Sequence, residues 1–199
     1  KKGFTLLDLA KRQMIGLSKY TEEHKRGKPL MGTRITGCVT LTKETGVLIL
    51  ALRELGCQIR WCSDNRFAIS NEISAAIASI GIPVYGVNNM SEEAYFQCMD
   101  YALQFKDGNG NICGPNRIID DGSDITRQII RKHPSSMGQI QLITEQTTCG
   151  VNEVRKLIAG QRLNTRVVNV NHSFIKYYFD NYYGVSESFI SSLKNTMSI

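Results

Sequence analysis

Arg34-Ile35-Thr36-Gly37-Cys38-Val39, then Thr40-Leu41-Thr42, then Lys43 to Leu55 closed by Gly56, then Gln58-Ile59-Arg60-Trp61, is the stretch that decides the fold. A short apolar run, a polar loop, an amphipathic run at helical spacing, a glycine stop and a second apolar run read as strand, helix, strand. The same alternation continues outward. Asn71 to Ile80 reads as a helix ended by Gly81, and Ile82 to Tyr85 as the next strand. Upstream, Thr5 to Glu23 carries apolar positions at helical spacing and stops near Gly27 and Pro29. Downstream, Ser91 is a good N-cap, with Glu92 and Glu93 favourable to the dipole of a helix running to about Phe105. Three more units follow: Arg117 to Ile119 with Asp124 to Lys132, Ile140 to Ile143 with Val151 to Ala159, and Arg166 to Val168 with a last helix from Ser186 to Met197. Such alternation predicts an α/β fold, a doubly wound and mostly parallel sheet with helices on both faces. The stretch Lys106 to Asn116, rich in glycine and asparagine, reads as an exposed excursion.

In such sheets ligands sit outside the carboxyl ends of the strands. Five polar clusters follow predicted strand ends: Thr40 to Thr42, Ser63 to Asn65, Asp120 to Asp124, Glu145 to Thr148 and Asn169 to Asn171. They should converge on one rim and form a site. The rim offers the carboxylates Glu44, Asp121, Asp124, Glu145 and Asp180, the lysine Lys176, and many hydroxyl and amide groups, a set suited to a polyhydroxylated ligand such as a ribose. Lys176 and Asp180, four apart, also read as an ordinary helical ion pair, and Asp121 and Asp124 as turn and N-cap residues. The segment Phe179 to Gly184 reads as a loop and helix start.

Composition sets bounds. The 199 residues are 42% hydrophobic, enough for one domain with a real core. The longest apolar run, Val47 to Leu52, is far too short to span a bilayer, so no membrane insertion is expected, and the start lacks the pattern of a signal peptide. Six scattered cysteines without a CxxC pair, and only three histidines, point to a reducing compartment inside the cell, cytoplasm or organelle matrix, and to no metal site. The net charge of +6 invites a nucleic-acid reading, but the densest cluster, His24 to Lys28, is one short turn without an accompanying recognition motif. The basic surface reads instead as solvated, or as a docking face for an acidic partner. No GxSxG elbow and no GxGxxG phosphate loop occurs.

The chain resembles the S-adenosylhomocysteine hydrolase (adenosylhomocysteinase) family. The likeness is carried by Lys28-Pro29-Leu30, Gly37-Cys38, Glu44-Thr45, Gly81-Ile82-Pro83-Val84-Tyr85, Asp120-Asp121-Gly122, Asn169-Val170-Asn171, Lys176 and Phe179-Asp180-Asn181 with Tyr183-Gly184. It implies a Rossmann-like substrate-binding domain over residues 1–199, with the family's NAD-binding domain absent from this chain and hence no cofactor here, NAD entering only as part of a longer hydrolase. By that resemblance Lys176 would assist proton removal from the ribose 3′-hydroxyl, with Asp180 and Asn181 positioning it. Asp121 would be an acid/base group, Thr42 and Glu44 would hold the adenine, Gln146 would stand at a ribose-binding position, and Thr147 and Thr148 would face a nicotinamide.

Departures from the family pattern are equally specific. His-Met-Thr after the first strand is here Thr40-Leu41-Thr42, and threonine does not titrate near neutral pH. A ribose-binding glutamate is Gln146. Cys-Asn-x-Phe-Ser-Thr-Gln is Asp64-Asn65-Arg66-Phe67-Ala68-Ile69-Ser70, and the cysteine after the last motif is Val185. These changes lead to an expectation of a degenerate, catalytically inactive relative acting as a protein-interaction or structural subunit of a larger assembly. The alternatives are a piece of a divergent NAD-dependent hydrolase that splits S-adenosylhomocysteine into adenosine and homocysteine, and a non-catalytic sensor of adenosine or S-adenosylhomocysteine.

Overall fold

The computed structural model describes residues 1–198. Six strands form one parallel sheet: β1 (Arg34–Cys38), β2 (Gln58–Cys62), β3 (Val84–Tyr85), β6 (Arg117–Asp120), β7 (Leu142–Glu145) and β8 (Arg166–Asn169), in the order β3-β2-β1-β6-β7-β8. Between them β4 (Phe105–Lys106) and β5 (Ile112–Cys113) make a separate antiparallel hairpin. The chain builds outward from β1 to β3, then returns to lay β6 against the other side of β1, with Cys38 opposite both Cys62 and Asp120. The winding therefore reverses between β1 and β6, where a doubly wound sheet leaves its crevice.

Strand alternation divides the core in two. Ile35, Ile59 and Trp61 pack on one face with helices α1 (Lys2–Gln13), α3 (Lys43–Glu54) and α4 (Asn71–Ser79), through Leu7, Ala10, Val47, Ile73 and Ile77. Cys38, Cys62, Ile118 and Ile143 pack on the other with α5 (Glu92–Ala102), α6 (Asp124–Lys132) and α7 (Thr148–Ala159), through Met99, Ile125, Ile129, Val154 and Leu157. The predicted doubly wound architecture is the one observed. No helix of the described residues is long and apolar enough to cross a membrane.

Three local expectations are corrected. Thr5 to Glu23 is not one helix: the chain breaks at Met14 (φ −92°, ψ 55°) into α1 and α2 (Ile15–His24). Leu7 and Ala10 bury α1 against α3 and α4, whereas α2 buries only Thr21 and packs beside α3. The helix from Ser91 ends at Ala102, so Phe105 begins the hairpin, whose turn is held by Asp107 Oδ1 accepting from the amides of Asn109 and Asn111 at 2.9 Å each. Finally, Phe179 to Gly184 is not a loop. Residues Lys176–Gly184 form a π-helical segment that runs straight into α8 (Val185–Met197).

Candidate functional site: the carboxyl rim of the sheet

Because every strand of the main sheet is parallel, all five polar clusters do lie at one end of it. Two of their carboxylates are committed to architecture. Glu145, with no exposed surface, accepts from Gly122 N, Ser123 N and Oγ, and Thr147 N and Oγ1. Asp120, equally buried, accepts from Thr126 N and Oγ1, Ile125 N and the Asp121 amide. Burial pushes Asp120 up to about 8, with the Thr126 hydroxyl and two helix amides pulling the other way. Together these groups hold Ser123 in a left-handed conformation (φ 61°) and fill the amino end of α6. The capping role assigned to Asp121 and Asp124 from sequence thus belongs to Asp120.

Asp121 is left facing the rim, where Gln146 Nε2 donates to its Oδ2 at 2.5 Å. Beyond the amino end of α7 a second group assembles. Lys176 Nζ lies 2.7 Å from Asp180 Oδ2 and donates to Asn181 Oδ1 at 2.6 Å; Asn181 Nδ2 donates to Asn171 Oδ1 at 2.9 Å; Asn171 Nδ2 donates to Thr148 Oγ1 at 3.2 Å. The ion pair read from the i, i+4 spacing is present, yet the contact at i+5 could not come from an α-helix, where that residue sits about 140° around the axis. The wider π turn brings residues four and five apart to either side of one meridian, and so lets one ammonium hold a carboxylate and an amide. Asn171 is 1% exposed and fixes this group to the body.

The remaining sequence candidates divide. Thr42 caps α3, accepting from Thr45 N at 3.3 Å, so its side-chain oxygen already has a partner. Glu44 is exposed and paired with Lys43 Nζ at 2.6 Å. Thr147 Oγ1 accepts from Gly122 N and Gly150 N while donating to Glu145; Thr148 is exposed and keeps its hydroxyl proton free for a ligand.

The first part of the chain decides the family. Residues 1–136 match the family model of S-adenosyl-L-homocysteine hydrolase. The chain belongs to the S-adenosyl-L-homocysteine hydrolase family. The matched span includes Thr42, Glu44 and Asp121 of this hydrolase-family chain, while Gln146, Thr147, Thr148 and the Lys176 group lie beyond it.

Two features of the rim go beyond the reading of Ser63 to Asn65 as one polar cluster. Asp64, at the end of β2, accepts from Thr40 Oγ1 at 2.7 Å, and burial pushes its carboxyl up to about 6. Tyr95 of α5 places its hydroxyl 2.8 Å from the Asp64 carbonyl oxygen and 2.7 Å from Asp124 Oδ2, tying three elements together. Only the strand-end position of Asp64 pointed to it; nothing local marks Tyr95.

The amino end of α6 is not built to hold a pyrophosphate. A pyrophosphate is held by free amides at a helix amino end behind a glycine-rich loop. Here the amino-terminal amides of α6 are taken by the carboxylates of Asp120 and Glu145, whose negative charge would repel a phosphate. Among the described residues no cluster of side chains forms a metal site.

Proposed function

We propose that this chain is a ligand-binding relative of the hydrolase family that takes adenosine or S-adenosylhomocysteine at the rim and does not turn it over by itself. The observation that carries the reading is the continuous chain Lys176–Asn181–Asn171–Thr148, which joins the last helix to the amino end of α7 and presents an ammonium and a free hydroxyl proton to vicinal oxygens. Asp121, bonded only through Oδ2 to Gln146 among side chains, supplies an acceptor from the neighbouring strand. A ribose needs this mixture of donors and acceptors. Calorimetry with adenosine and S-adenosylhomocysteine tests it: micromolar affinity is expected, and no heat at millimolar ligand would sink the reading.

Lys176→Met should weaken nucleoside binding by at least tenfold, since hydrogen bonds to charged groups contribute roughly 1.5–3 kcal/mol. Its stability should fall far less, because the Lys176–Asp180 pair is partly exposed, with Asp180 57% accessible. Equal adenosine affinity in the two proteins would remove Lys176 from the site.

A second reading, the inactive subunit of a larger assembly, is favoured by one feature. The helix through Lys176–Gly184 and Val185–Met197 has no buried residue, and Phe174, Ile175, Phe179, Tyr182, Phe189 and Met197 are each more than half exposed. An apolar surface of this extent on one helix suits a protein interface. On that reading Phe189→Glu with Leu193→Glu blocks entry of the chain into its native complex, followed by native gel electrophoresis, and leaves adenosine affinity unchanged. Unaltered incorporation would count against it.

A further inference from the structure

The rim carboxylates other than Asp64 each have a cation, an amide or a full set of donors beside them. Glu145 has five donors and Asp120 four; Asp180 has Lys176, Asp124 has Arg127, and Asp121 has the Gln146 amide. Asp64 stands apart. Thr40 Oγ1 is the one side chain that donates to it, and among the described residues no lysine, arginine or histidine pairs with it. Its second oxygen, Oδ2, has no side-chain donor and is not sealed in, since Asn88 Oδ1 is the only fully buried side-chain polar atom without a partner among the described residues.

Burial first, and then the like charges around it, make ionisation of Asp64 costly, while the Thr40 hydroxyl and its own backbone amide favour it. From α6 and the loop before it come the like charges of Asp121 and Asp124, the latter already neutralised by Arg127. From α5 come Tyr95, whose hydroxyl goes to the Asp64 backbone and to Asp124, and Glu92, another acid lining the same hollow of about 300 Å³. The one nearby cation, Arg66, is turned away: it donates to the Met90 carbonyl at 3.1 Å and lies over the Phe67 ring at 4.4 Å. A half-buried carboxyl with like charges around it and no side-chain donor on Oδ2 keeps capacity beyond its bond to Thr40. Such groups gather at sites that exchange protons with ligands.

We propose that Asp64 is the proton-donating contact of the crevice, entering the site as the neutral acid and giving a hydrogen bond from its open oxygen to an uncharged acceptor on the ligand, such as a hydroxyl or a ring nitrogen. Thr40 is its positioning residue, holding Oδ1 so that the proton resides on Oδ2. The proposal rests on the nucleoside reading above for the identity of the ligand, but not for the state of Asp64. The sign follows directly. The protonated form binds, so affinity is full below about pH 6 and falls as pH rises through the midpoint, by about tenfold per pH unit above it.

The test uses the full chain in two measurements. Carbon-detected NMR of the Asp64 carboxyl in the free protein should show a midpoint near 6, moving upward in Thr40→Val, which loses the donor that favours the ionised form, and upward again when adenosine is added. Adenosine calorimetry from pH 5 to 8 should show affinity falling with pH in the native protein. In Asp64→Asn, whose amide donates at all pH values, it should be flat. A free-protein midpoint near 4, or adenosine affinity that rises or stays level with pH, overturns the proposal. Failure of adenosine to bind at any pH, with the midpoint intact near 6, would instead overturn the nucleoside reading and leave Asp64 as the crevice's proton carrier.

Discussion

Gly150→Ala is expected to cost about 4 kcal/mol or more of stability. Gly150 begins the second half of the first turn of α7, and its carbonyl oxygen lies 2.8 Å from Ser123 Oγ, whose single proton it shares with Glu145. A Cβ at this position would stand 2.2 Å from Cδ of Glu145 and within 2.5 Å of both carboxylate oxygens. Neither partner can yield. Glu145 is held by donors from Gly122, Ser123 and Thr147, and moving it would strand the buried amide of Ser123 away from both water and acceptor. Thermal denaturation followed by circular dichroism should show the midpoint falling by roughly 10 °C or more. The double variant Glu145→Ala with Gly150→Ala should be no worse than Glu145→Ala alone, because the clash and the lost acceptor are the same event. Additive losses would show that Gly150 acts through something other than that carboxylate.

Gly37→Ala is expected to cost about 3 kcal/mol, the upper range for overpacking a filled core. Gly37 sits in the central strand β1 directly against the indole of Trp61, where a Cβ would meet three ring carbons at 2.3–2.5 Å. Trp61 has no exposed surface, and its Nε1 donates to Val39 O at 3.0 Å, so the ring cannot tilt without losing that bond. Trp61 is the only tryptophan of the chain, which makes the readout direct. The variant should show a red-shifted emission maximum together with a lower urea midpoint. Native emission and native stability would mean that the strand, not the ring, absorbs the methyl.

Much of this architecture was readable in advance because strand ends and helix starts carry local signatures. Ser91 caps as expected, with Ala94 N at 3.2 Å, and the boundaries of α6 match those read from Asp124 to Lys132. Convergence of the polar clusters followed from parallel topology alone. What stayed hidden depends on partners distant in sequence. Asp120, Asp121 and Asp124 look alike in one dimension; only the register of β6 against β1 and β7 turns Asp120 inward and leaves Asp121 on the rim. The break at Met14 is marked locally only by Gly16, two residues on, and the apolar spacing that continues on both sides hides it. Asp64 becomes distinctive only when Tyr95 and Asp124, from two other elements, close around it.

The wide turn at Lys176–Gly184 has a consequence for the far end of the same helix. A π segment carries more residues per turn than an α-helix of equal rise, so shortening it by one residue would rotate everything beyond it by about 100° and draw it back by about 1.5 Å. Lys176 would then lose Asn181, and at the same stroke Phe189, Leu193 and Met197 would point to a different side of the molecule. Site chemistry and outward-facing surface are therefore set by one count of residues: a length change tolerated by neither cannot be repaired at only one of them.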